Sequence, residues 1–211
     1  LPLGRPTLTV TVDSYSGYVV GLYVSFNGAG LTSVLNVLKN SIQPKDQIAA
    51  DAGTKNPWLA WGICETFLMD NGLEFHSQQH QLAANLLGMD VEYCRVRTPW
   101  AKPKVERFFA TLDFLNLPAG RIRKPLPEGQ KLDPTKDACI YFSDFVTGMI
   151  QYVVDEYPFE LNSRKLETPC EMFKEGMELL CPPAFFSSTR EGDMVAAMSR
   201  PAGASSGSSR M

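Results

Sequence analysis

A mixed α/β layer fold is what this sequence predicts, and three observations predict it. Two alternating, β-branched runs near the amino terminus are separated only by a tight turn at Tyr15-Ser16-Gly17. Apolar residues then recur at Leu31, Val34, Leu35, Val37 and Leu38, a helical period. Beyond them, short strand-like segments alternate with helical ones, which is the pattern of helices layered on a sheet.

Taken in order, Thr7 to Ser14 (TLTVTVDS) and Tyr18 to Phe26 (YVVGLYVSF) are expected to form two antiparallel strands. Leu31 to Ile42 is a helix, and Lys45 to Pro57 is a loop because Pro, Asp, Gly and Asn cluster there. Thr66 to Met69 is a short buried strand that stops at Asp70, and Asn71-Gly72 turns the chain away. Ser77 caps a helix through Leu87, with Gly88 at its end. Val91 to Val96 is a further strand, broken by Thr98-Pro99. The next helix starts at Pro103, since proline suits a first helical position. Val105, Phe108, Phe109 and Leu112 make one buried stripe on it, and Glu106 lies about 100° round from Val105, beside the stripe. After Pro118 comes a loop rich in Pro, Gly and Lys, then helices from Ser143 to about Tyr157 and near Thr168 to Glu175. Pro201 to Met211 is Gly/Ser-rich and expected to be disordered.

The 211 residues suffice for one domain with a small appendage, and 44% hydrophobic with 20% charged residues is ordinary for a globular protein. No apolar run approaches bilayer length, and Leu1 to Pro6 has no secretory pattern. The first residue is not Met, which predicts a piece of a longer protein. Five scattered cysteines without a C-x-x-C pair point to reduced thiols in a cytoplasmic protein. His76 and His80 share a helical spacing, but without paired cysteines a surface helix explains them better than zinc. Gly28-Ala-Gly30 lacks the lysine and spacing of a phosphate loop.

Net charge is −3, which does not announce a nucleic-acid binder, but the distribution is uneven. Arg95 to Lys136 carries ten of the twenty basic residues and only four acids, Glu106, Asp113, Glu128 and Asp133. Such a run is either a solvated surface or, beside a carboxylate site, a cradle for a phosphate backbone.

Asp70 at a strand end and Glu106 on a helix are separated by 35 intervening residues. Two carboxylates from different elements suit Mg²⁺, which takes oxygen ligands and keeps several waters. Paired ions at such a site activate a water or 3′-hydroxyl and steady the leaving oxygen in phosphoryl transfer. From the residues alone, Asp70-Asn-Gly is also simply a turn.

DNGLEF around Asp70 and RTPWAKPKVERFFATL around Glu106 resemble the DDE core of retroviral integrases. LGRPTLTVTVDSYSGYVVGLYVSF, KVERFFATLDFLNLPAG and ETPCEMF narrow the resemblance to bacterial DDE transposases of the phage Mu and transposon type. The similarity runs in order from about Leu3 to Phe173. It implies an RNase H-like mixed sheet flanked by helices, as in an integrase catalytic core. On this resemblance residues 1–120 are the core, 121–180 a carboxyl-terminal helical extension and 181–211 a linker and tail.

The resemblance further implies metal-dependent 3′-end cleavage and strand transfer in DNA transposition, with two Mg²⁺ or Mn²⁺ ions. Asp70 and Glu106 are then the second and third catalytic carboxylates and the metal ligands. The family's first Asp lies on a strand before the hairpin, in a D-x-T-like segment absent from these residues. The expectation is a fragment missing that central strand, and Asp13 is read as a turn-capping residue. Lys102, Lys104, Arg107 and Arg97 are the candidates for DNA contact, with a charged helix surface as the alternative for Lys104 and Arg107. Implied partners are transposon-end and target DNA, further copies of the chain and a helper ATPase, in a bacterial cytoplasm without membrane attachment. A catalytically incomplete DNA-binding or assembly module is the competing function. An RNase H-type nuclease would share the fold but not the KVERFFATL and TPCEMF segments.

Overall fold

The computed structural model describes residues 3, 6–28, 30–69, 84–93, 103–114, 140–161 and 166–179. Strands β1 (Thr7–Val12) and β2 (Val19–Ser25) form the expected antiparallel hairpin, with Thr7 opposite Ser25 and Leu8 opposite Val24. The register slips by one between Thr11 and Val12, a bulge beside the turn. Helix α1 (Leu31–Ile42) has the expected bounds and lies on β2. Gly21 permits this close approach, and above it the Thr11 and Ser41 hydroxyls are 2.6 Å apart. The Leu22 N–H donates to Asn40 Oδ1 at 2.9 Å, so α1 also satisfies an amide of β2.

The expected loop from Lys45 to Pro57 is corrected: it contains helix α2 (Asp46–Ala52). Pro44, Gly53 and Asn56 bracket this helix rather than dissolve it. Its interior, Gln-Ile-Ala-Ala, is helix-favouring, Asp46 sits at the positive end of the dipole, and Gly53 terminates it at φ 66°. Lys45, just before α2, is 1% exposed. Its ammonium donates to the carbonyls of Ser41, Gln43 and Ala60 and lies 5.3 Å from the Trp58 ring centroid.

Strand β3 (Thr66–Met69) has the expected bounds but is not buried as expected. Thr66 and Leu68 face solvent, Phe67 is half-buried, and only Met69 is enclosed. It pairs in parallel with β4 (Asp90–Tyr93), Thr66 opposite Asp90 and Met69 opposite Tyr93. Among the described residues the strands therefore make two separate two-stranded sheets, where one mixed sheet was expected. Residues 84–87 are helical and end at Gly88 (φ 71°), where the sequence places a stop; Ser77 lies outside the described residues. Val91 to Tyr93 are extended as expected, and residues 94–96 are not described.

Helix α3 (Pro103–Phe114) begins at the proline. Phe108 (0% exposed) and Leu112 are buried and Val105 is half-buried, but Phe109 is 38% exposed, so the expected stripe is narrower by one residue. The Phe109 ring meets Phe108 edge-on at 5.5 Å instead of entering the core. Helix α4 (Phe142–Gln151) widens into a π-turn at Tyr152–Glu156 and tightens to a 3₁₀ turn at Tyr157–Phe159, not one α-helix to Tyr157. The wider turn buries the consecutive residues Tyr152, Val153 and Val154, and Pro158 has no N–H with which to continue a helix. Helix α5 (Pro169–Leu179) extends past the expected Glu175. Thr168 and Glu171 start it with a reciprocal capping box: the Glu171 amide donates to Thr168 Oγ1 and the Thr168 amide to Glu171 Oε2.

One buried cluster joins the hairpin, Trp58, α3 and the 149–157 region through Val19, Leu22, Phe108, Leu112, Tyr152 and Val153. A smaller one lies between α1 and β3–β4 and includes Leu38, Ile42, Leu87 and Met89. Residues 201–211 and the loop after Pro118 lie outside the described residues.

Candidate active site and basic cleft

Helix α3 is held from below. Phe108 points inward and meets the Tyr157 ring edge-on at 5.0 Å, and the helix packs on β1. Three residues past Pro103, Glu106 stands exposed in the first turn, where the helix dipole favours a carboxylate. A buried Phe108 fixes the rotation of the helix and hence the direction of Glu106. Asp70 lies outside the described residues; the structure carries β3 as far as Met69, immediately before it. Arg97 and Lys102 are likewise outside them, as are His76 and His80. Among the described residues no three His, Cys, Asp or Glu side chains group closely enough to hold a metal ion.

Asp13 is committed to the hairpin turn. Its Oδ2 accepts from the Ser16 amide at 2.7 Å and from the Ser16 hydroxyl at 2.6 Å. Ser16 Oγ in turn accepts from the Tyr18 amide at 3.0 Å. The backbone closes the same turn, with the Asp13 N–H donating to Tyr18 O and the Gly17 N–H to Asp13 O, both at 2.8 Å. Gly17 adopts φ 80°, which few side chains tolerate. This is the Asx-turn chemistry that aspartate supplies.

That turn abuts the start of α3. A Cβ on Gly17 would stand 3.2 Å from Lys104 Cδ, so the lysine stem lies over the glycine. Lys104 and Arg107 line a small cleft with Ser16, Gly17, Tyr157, Glu160 and Glu167. Burial pushes the Tyr157 hydroxyl up to about 12, a shift that the Arg107 guanidinium opposes. Burial also raises Glu160, while the Tyr152 hydroxyl, donating at 3.4 Å, and Arg107 pull it back down. Arg107 is therefore within electrostatic reach of Glu160 and Tyr157.

The segment after residue 140 thus forms one wall beside α3. Helix α5 completes the wall: Phe173 stacks on Tyr18 at 4.6 Å, and the Tyr15 hydroxyl donates to Glu175 at 3.3 Å. Tyr157, Glu160 and Glu167 were not singled out by the sequence. The one available signal was Pro158, which stops a helix and turns the residues that follow toward a new neighbour.

Residues 1–118 match the family model described as the TnsB C-terminal domain. The transposase for transposon Tn552 of Staphylococcus aureus is 26% identical over 167 residues, 79% of this chain and 32% of that protein. The Tn7 transposition protein TnsB of Escherichia coli is 28% identical over 113 residues, 52% of this chain and 16% of that protein. The chain thus spans a third or less of the length of these relatives. The catalytic core domain of BIV integrase is 13% identical and superposes with a TM-score of 0.43, covering 82% of this chain and 88% of that one, too distant to add to the family match.

Proposed function

As a member of the TnsB C-terminal domain family this chain is a transposase/integrase-type protein, and we propose that it is part of the catalytic core of a DDE-type DNA transposase. Asp70 and Glu106 serve as the second and third carboxylates of metal-dependent phosphoryl transfer. The observation that carries the reading is the seat of Glu106: exposed on the first turn of a helix whose rotation Phe108 fixes, 35 intervening residues after an aspartate that directly follows β3.

The donor chemistry fits Mg²⁺ or Mn²⁺, since both groups are hard oxygen ligands. When bound, the ions would activate a water or 3′-hydroxyl and neutralise charge on the phosphate. Lys104 and Arg107, with Lys102 and Arg97, contribute contacts to the phosphate backbone, which fix register without reading sequence. Transposon-end and target DNA, further copies of the chain and a helper ATPase are the partners of this reading, and a bacterial cytoplasm its setting.

The core is RNase H-like in this proposal, with a central strand between β1 and β3 supplied from outside these residues. Two features support that. The described strands split into an antiparallel pair and a parallel pair, as a sheet does when its middle strand is removed. An amide of β2 is taken by Asn40, which leaves β1 as the side where the first pair can extend. The domain division at residues 120 and 180 belongs to the same proposal.

A second reading has its own observation. Asp13 already accepts two hydrogen bonds from Ser16, so it is a poor first ligand, and the 211 residues by themselves make an incomplete catalytic set. The chain alone then acts as a DNA-binding or assembly module, and strand transfer belongs to the longer protein.

Titration of the chain with Mn²⁺ tests the site. Loose binding that Asp70→Asn or Glu106→Gln abolishes is the expected result, because two carboxylates leave the ion largely hydrated. Tight stoichiometric binding indifferent to both substitutions would place the metal elsewhere and end this reading. In a protein extended to include the upstream aspartate, strand transfer should appear, vanish with Glu106→Gln and survive Asp13→Asn.

A further inference from the structure

Lys104 and Arg107 line a cleft that they share with two carboxylates, Glu160 and Glu167. We propose that Glu160 and Glu167 occupy the place of DNA phosphates beside Lys104 and Arg107, so that these two carboxylates compete with DNA for the basic pair. The inference rests on the reading of Lys104 and Arg107 as DNA contacts.

Three observations carry it. First, the four charged side chains line one cleft, with the Ser16-Gly17 turn as its floor and Tyr157, Pro169 and Met172 among its other walls. Second, the cleft is rigidly framed. Phe108 meets Tyr157 on one side, and Phe173 stacks on Tyr18 on the other. The wall therefore cannot leave without breaking buried contacts. Third, burial raises the Glu160 carboxyl, and the Tyr152 hydroxyl and then the Arg107 guanidinium of the same cleft act against that rise. Glu160 is further tethered by the Tyr152 hydroxyl of the π-turn, which donates to its Oε1 at 3.4 Å. A phosphate approaching Lys104 or Arg107 meets two fixed negative charges, and that repulsion weakens binding of any DNA sequence equally.

The test uses the 211-residue chain and a fluorescent mixed-sequence DNA duplex, with affinity followed against salt. Glu160→Gln/Glu167→Gln keeps shape and hydrogen-bonding capacity and removes both charges. It should tighten binding by roughly threefold to tenfold at low salt, the scale of two exposed ion pairs. Lys104→Gln/Arg107→Gln should weaken binding and flatten the salt slope by about two. Glu178→Gln on α5, which does not line the cleft, should change affinity by less than about twofold, the size of a general charge effect. Circular dichroism confirms folding of each variant; should the double carboxylate variant be unfolded, Glu167→Gln alone reads the same sign. If the carboxylate variant does not tighten while the cation variant weakens, the competition is wrong and the DNA reading stands. If Glu178→Gln tightens as much as the cleft variant, the effect is net charge and the inference falls. If the cation variant leaves affinity unchanged, the DNA assignment of Lys104 and Arg107 fails and this inference with it.

Discussion

At Gly21 strand β2 lies tight against helix α1, and Gly21→Ala measures how tight that seat is. A methyl group there would overlap the Ser41 hydroxyl, stand 2.7 Å from Thr11 Oγ1 and 2.9 Å from the Val37 carbonyl. Two of these neighbours are side-chain oxygens that already share a 2.6 Å hydrogen bond, and the third is helix backbone, which yields only by moving α1. Overpacking of this kind costs about 1–3 kcal/mol. Breaking the Thr11–Ser41 bond adds about 0.5–1.5 kcal/mol. Alanine returns about 0.5–1 kcal/mol through the lower entropy of its unfolded chain. The net expectation is a loss of roughly 2–3 kcal/mol. Urea unfolding followed by circular dichroism reads it as a lower midpoint at unchanged slope. Adding Ser41→Ala removes the worst overlap but not the Val37 carbonyl, so the double variant should recover part of the loss, about 1 kcal/mol. A Gly21→Ala protein as stable as the parent would show that α1 is not seated on β2 as described.

Two further predictions concern the framework of the site. Burial lowers the Lys45 ammonium to about 7 from its ordinary 10.5. Between those values the unfolded chain binds more protons than the folded one, so this group makes stability rise as pH goes from about 7 toward 10.5. Lys45→Met should flatten that rise and also destabilise by about 1–3 kcal/mol, because the carbonyls of Ser41, Gln43 and Ala60 lose their donor. Equal pH profiles for the two proteins would mean that the three carbonyls hold the ammonium against burial. Thr168→Ala removes the capping box of α5 and should cost about 0.5–2 kcal/mol in thermal or urea unfolding, whereas Thr168→Ser should cost little.

Where local chemistry decides structure, the sequence was readable. The hairpin, α1 and the start of α3 each have a signal contained within a few residues: alternation about a Gly turn, a helical period, and proline at a first helical position. Helix α2 is hard to read because Gly53, Asn56 and Pro57 are breakers by composition, although they only follow a run of good helix formers. The exposure of Thr66 and Leu68 was not legible either, since a four-residue apolar run is compatible with burial on both faces or on one, and tertiary context chooses. The π-turn at Tyr152–Glu156 has no local signature at all; three consecutive buried residues demand it only once the core is assembled. Of the candidate site, Glu106 stands where the helical spacing put it, beside the buried stripe. Arg107 was legible as a cation but not as lining a cleft with Glu160, because that cleft joins segments some fifty residues apart.

What links these elements is a single helix read from both sides. The inner side of α3, through Phe108 and Leu112, belongs to the main core and sets the helix against β1 and the Tyr157 ring. Its first turn carries Lys104, Glu106 and Arg107 within four positions, so one rotation of the helix fixes together the carboxylate proposed as a ligand and the two cations proposed as DNA contacts. The Asp13 turn supports the same point from below, since Lys104 lies across Gly17. Asp13 therefore acts on this end of α3 through the backbone it shapes. An aspartate spent on closing that turn holds Gly17 at positive φ and the lysine above it, and a carboxylate withdrawn to bind a metal would release both. The turn is thus a platform for the start of α3, and the proposed ligand set draws on Glu106 there rather than on Asp13.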